Sequence, residues 1–99
     1  MKVVGLAWYH ESDYIPLRKL FEDGEKLHAT YHGWLEAANL GFERLKKQGH
    51  IVEKVHITPD EFSSWCAAKG KRLNAESRMA FVNETVAKKY AKAGAQSLG

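Results

Sequence analysis

The sequence predicts one α+β (or small α/β) domain of element order β-α-α-β-α-α, and three observations carry that expectation. Two short stretches, KVVGLAW at residues 2–8 and IVEKVHI at residues 51–57, are rich in β-branched and aromatic residues and lack helical spacing. The longer stretches between and after them repeat apolar residues at three- and four-residue steps, the period of an amphipathic helix. The joints carry capping chemistry: Thr30, Thr58 followed by Pro59, and Asn74 at helix starts, with Gly49 and Gly70 at helix ends.

In the first strand, Val3 and Ala7 share one parity and Val4, Leu6 and Trp8 the other, so both faces are expected to be covered. A short helix follows over residues 14–22. Asp13 is its best cap, which puts Pro16 in the first turn, where a missing N–H does no harm. Residues 22–29, EDGEKLHA, read as a loop turning at Gly24. Thr30 then caps a helix over residues 31–48 with Tyr31, Trp34, Leu35, Ala38, Phe42 and Leu45 on one stripe, stopped by Gly49. The second strand sets Ile51, Val55 and Ile57 on one face. Thr58, Pro59 and Glu61 form a capping box for a helix that turns Phe62, Trp65 and Cys66 inward. Asn74 caps the last helix, whose stripe is Met79, Val82, Val86 and Tyr90. A single globular domain over residues 1–93 and a frayed tail over residues 94–99 complete the chain.

Strand direction stays open. The strands run antiparallel if the first two helices form a hairpin, and parallel if the 22–29 loop doubles back. A two-stranded sheet has an unpaired edge on each side, so either a further short strand completes it or, as expected, a symmetric homodimer forms, through the sheet edge or an aromatic helix face.

The 99 residues, 44% hydrophobic and 27% charged, have the composition of a folded domain rather than of a disordered segment. The net charge of +3 permits an acidic partner without requiring one. A single cysteine, Cys66, excludes an intramolecular disulfide and a multi-cysteine metal site. The N-terminus lacks a signal-peptide pattern, and no apolar run approaches the roughly 18 residues of a membrane span. The expected location is the cytoplasm, with no membrane partner.

Three strings, LAWYHESDYIPLRKLF, TYHGWLEAANLGFERL and GHIVEKVHITPDEFSSWC, cover most of the chain. They resemble a group of small uncharacterised bacterial proteins with a similar AWY–LF–TYxxWL–PxxFxxWC pattern. That resemblance implies one compact bacterial domain. It supplies no catalytic residue, because the shared positions are mostly caps and apolar anchors.

Histidine, with five copies, raises the question of metal. His28 and His32 have the four-residue spacing of a helical ligand pair, but Thr30 as cap leaves His28 outside the helix, and no H-E-x-x-H string exists. No metal ligand is therefore assigned, and a small metal-assisted hydrolase is the third-ranked function. Cys66, on the stripe with Phe62, reads as a buried hydrophobe rather than a nucleophile. Glycine-rich phosphate loops are absent, so no cofactor is expected. Lys69, Lys71, Arg72 and Arg78 form the basic cluster of a nucleic-acid reading, the second-ranked function.

The leading expectation is an interaction module without catalytic residues, self-associating and binding a small ligand or a protein partner. Its candidate cleft joins two aromatic-rich turns: Tyr9, His10, Asp13 and Tyr14 after the first strand, and His28, Tyr31 and His32 at the start of the long helix. Polar residues just past strand ends line ligand crevices in α/β sheets.

Overall fold

Both expected strands form, and they pair in parallel. In the computed structural model β1 (Val3–Trp8) and β2 (Ile51–His56) run side by side, Val3 opposite Ile51 and Trp8 opposite His56. The backbone is described over residues 2–98 and side chains over residues 2–91, so the tail expected over residues 94–99 lies outside the fully described part. Between the strands come α1 (Glu11–Leu20), a 3-10 turn (Gly24–Lys26) and α2 (Tyr31–Lys47). After β2 come α3 (Pro59–Lys69) and α4 (Ala75–Leu98). The order is the expected β-α-α-β-α-α, and α2, which starts beside Tyr9 at the carboxyl end of β1, carries the chain back to the start of β2.

The sheet is covered on both faces, which explains why β1 is apolar on both parities. On one face Trp8 meets Trp34 and Phe42 of α2, ring centroids 5.2 and 6.2 Å apart. On the other face α4 lies against β1. A Cβ placed on Gly5 would stand 2.5 Å from Val82 Cγ1 and 2.9 Å from Val86 Cγ2, so only glycine lets this helix come so near. Glu53 of β2 holds α4 further along, accepting from Lys89 Nζ and Tyr90 Oη, both at 2.8 Å. Helices α1 and α3 join through Phe21 and Phe62 (5.6 Å). Leu17, Ile57 and Phe62 are fully enclosed, each adding about 2–3 kcal/mol of apolar burial.

The caps are those of the sequence. Thr30 Oγ1 accepts from Gly33 N at 3.1 Å, Thr58 Oγ1 from Glu61 N at 3.3 Å, and Asn74 Oδ1 from Ser77 N at 3.0 Å. Gly49 and Gly70 take the left-handed conformation, φ +87° and +66°, after α2 and α3.

Two expectations need correction. Helix α1 starts at Glu11, so Asp13 lies inside its first turn and Pro16 in its interior; His10 is the cap residue and makes no side-chain cap bond. Pro16 cannot donate to the Ser12 carbonyl, yet both residues are exposed, where water can satisfy that oxygen. The early start turns Tyr14 and Leu17 inward together, and Glu11 and Asp13 favour the positive end of the helix dipole. On α4, Val82 is buried and Val86 half-buried, but Met79 is 69% exposed and Tyr90 lies at the surface. Ser77, Arg78 and Phe81 are the buried neighbours instead.

Candidate functional site

The two aromatic turns do come together, but their tyrosines pack as core. Tyr9 and Tyr14 are almost completely buried. Around Trp34 the ring centroids of Tyr9, Tyr14 and Tyr31 lie at 4.8, 5.8 and 5.4 Å. The hydroxyls are used internally: Tyr14 donates to the His28 carbonyl, and Tyr31 donates to the Tyr9 carbonyl at 3.1 Å. Burial pushes the Tyr9 phenol up to about 12 and raises that of Tyr14. Tyr9 and Tyr14 are thus corrected from ligand-facing to structural residues. The exposed members of the cluster are His10, His28 and His32; Asp13 is half-buried, and His32 sits 3.7 Å from Glu36 on its own helix.

His10 has a neighbour that sequence reasoning did not select. Its ring stacks on His56, centroids 4.2 Å apart and 12° from parallel, because the parallel register ends both strands side by side. Burial lowers the His56 pKa first, and charge on His10 and Lys54 lowers it further, so the neutral His56 imidazole is favoured. Among the described residues no group of three or more His, Cys, Asp or Glu side chains is placed to hold a metal ion. Cys66 is buried with its thiol toward the Arg72 carbonyl (3.8 Å), and burial raises its pKa, which disfavours the thiolate.

The basic cluster is largely neutralised within the chain. Arg78 forms a bidentate pair with Asp23, at 2.8 and 2.7 Å, and lies over the Phe21 ring at 4.3 Å. The guanidinium hydrogen bond holds the Asp23 carboxyl below the usual carboxylate range. Arg72 lies 3.0 Å from Glu22, and Lys69 3.7 Å from Glu84. Lys71 is exposed and has no carboxylate partner among the described residues.

A different surface is open. Ile51 N donates to the Lys2 carbonyl and Ile57 N to the Trp8 carbonyl, so the even-numbered residues of β1 face β2 in the ladder. By the alternation of a parallel ladder, the N–H and C=O groups of Val3, Gly5 and Ala7 point away from β2. Beside this edge runs a groove of about 310 Å³ floored by Gly5, Leu6 and Ala7 and walled by α4. Ala75, Met79 and Asn83, four residues apart, form part of its helical wall, with Val82 and the ion-paired Arg78. No sequence motif marks this groove. The available signals were the small residues Gly5 and Ala7 and the absence of charge between Val3 and Trp8.

No helix among the described residues is long and apolar enough to cross a membrane. Comparison of the chain with protein-family models, curated proteins and solved structures returned no match.

Proposed function

We propose that this domain is an interaction module that self-associates and binds a protein partner by accepting an extended segment along the outer edge of β1. The observation that carries the reading is the row of outward backbone groups on Val3, Gly5 and Ala7 beside an apolar groove. Such a row recognises another backbone in extended form, and the groove beside it takes that segment's alternate side chains. A polar small molecule has less to bind here: of the groove's polar side chains, Arg78 is committed to Asp23, which leaves Asn83. The nucleic-acid alternative loses support because Lys69, Arg72 and Arg78 each have a carboxylate partner.

Selection of short random peptides from a displayed library tests the reading. Wild-type protein should enrich extended apolar sequences, and Met79→Glu, which puts a charge in the groove wall, should not. A recovered peptide should shift the amide resonances of Val3, Gly5 and Ala7 on titration. A library that yields nothing above the Met79→Glu background would overturn it.

A further inference from the structure

The chain itself contains a segment suited to this edge, namely the edge of a second copy. We infer that two copies pair antiparallel through β1 about a twofold axis at Gly5, forming one four-stranded sheet of order β2-β1-β1′-β2′. The inference rests on the edge reading above and names its first occupant.

The register follows from which groups are free. Only Val3, Gly5 and Ala7 turn both backbone groups outward, and antiparallel pairing requires such residues to stand opposite one another. Placing Gly5 opposite Gly5 of the second copy sets Val3 opposite Ala7 and uses every outward group; a two-residue shift in either direction strands an outward residue at one end. Lys2, the charge next to the strand, then faces Trp8 of the second copy rather than its own counterpart.

Charge and shape select a second copy through β1 rather than a head-to-tail chain through β2. Between Val3 and Trp8 the β1 edge has no charged residue, whereas β2 carries Glu53, Lys54 and His56. A lysine on an edge strand blunts pairing. The groove lining is neutral apart from Arg78, whose charge is matched by Asp23, so the two grooves meet without like-charge contact. A twofold axis normal to the sheet also brings the two α4 walls together, Met79 toward the second copy. That covers the most exposed large apolar side chain among the described residues of this helix, 69% accessible in the single chain. Pairing through one shared edge closes the assembly at two, as an isologous contact must. A protein partner using the same edge then competes with self-association.

Amide hydrogen exchange followed residue by residue at low micromolar and near-millimolar protein, with sedimentation on the same samples, tests this. The expected result is a dimer mass together with slowed exchange at Val3, Gly5 and Ala7. Val4, Leu6 and Trp8, bonded to β2, should stay protected at every concentration. Met79→Glu should give a monomer with Val4, Leu6 and Trp8 still protected; Val3→Pro, which removes one outward N–H, serves as the second variant should the first not fold. A dimer in which Val3, Gly5 and Ala7 exchange freely would overturn the inference by showing that another face pairs. Slowed exchange at Val3 and Gly5 but not Ala7 would overturn the register. A monomer at all concentrations that still binds displayed peptides at the edge would overturn self-pairing and leave the interaction reading standing. A monomer that binds none would overturn both.

Discussion

Two regions of this molecule use side chains in opposite ways. At the carboxyl end of the sheet, Trp34 is ringed by Trp8, Tyr9, Tyr14 and Tyr31, with tyrosine hydroxyls turned onto backbone carbonyls. Along the outer edge of β1 the residues are small, Gly5 and Ala7 against Ala75, and the open groups are backbone. The aromatic-rich turns look like a binding site in the sequence and are closed in the fold. The plain segment VVGLA shows nothing as a string and is open. In a small domain large rings are the means of filling a core, so their density marks burial. An open surface arises where topology runs out of strands.

The comparison predicts a graded series of losses. The largest belongs to the closed region: Trp34→Ala should lower stability by about 3–5 kcal/mol, as aromatic truncation in a core does, and the chemical-denaturation midpoint reads it. A midpoint that barely moves would place Trp34 at a surface and end the contrast. Next is the Asp23–Arg78 pair, which joins the segment after α1 to α4 with little exposure on either side. Arg78→Ala should cost roughly 3 kcal/mol, because the Asp23 charge is left uncompensated. The same pair has a pH signature. Since the folded-state pKa of Asp23 is depressed, its stabilisation is present above the unfolded value near 4 and fades as pH falls through the folded value. Melting temperatures between about pH 5 and pH 2 should therefore fall less steeply in Asp23→Asn than in wild type.

Smaller effects belong to the edge. Gly5→Ala drives a methyl into Val82 and Val86 and should cost about 1–3 kcal/mol by overpacking. An unchanged midpoint would show that α4 yields and that the close approach is soft. The least effect on folding is expected for Met79→Glu, within about 0.5 kcal/mol, since the residue faces solvent in the single chain. That variant separates the two regions most sharply, because it should abolish association while leaving the fold alone. A large loss of monomer stability would mean that Met79 belongs to the core.

Much of the fold was legible because it is written locally. Thr30, Thr58 and Asn74 each sit three residues from the N–H they accept from, and the stripe centred on Trp34 follows the helical period. What was not legible depends on distant residues. Arg78 is buried only because Asp23, 55 residues earlier, meets it, and no helical period encodes that. Met79 fits an apolar stripe yet faces outward because, among the described residues, no third strand covers β1 on that side. Helix α1 began earlier than Pro16 suggested because burying Tyr14 and Leu17 outweighed one solvated carbonyl. The candidate cleft was hard to read for a related reason: Tyr14 does reach the His28 carbonyl, but composition does not tell a lined cleft from a filled one.

The parallel register sets Val3 opposite Ile51, a separation of 48 residues, and this has a consequence during biosynthesis. At ribosomal rates of about 5–20 residues per second, β1 waits roughly 2–10 s before its partner strand is even made. For that interval it has no β2 to pair with, and no charged residue lies between Val3 and Trp8. Neighbouring nascent chains on one message hold the same stretch at short range. The β1 pairing inferred above would therefore begin between neighbouring nascent chains, before either has made its own β2.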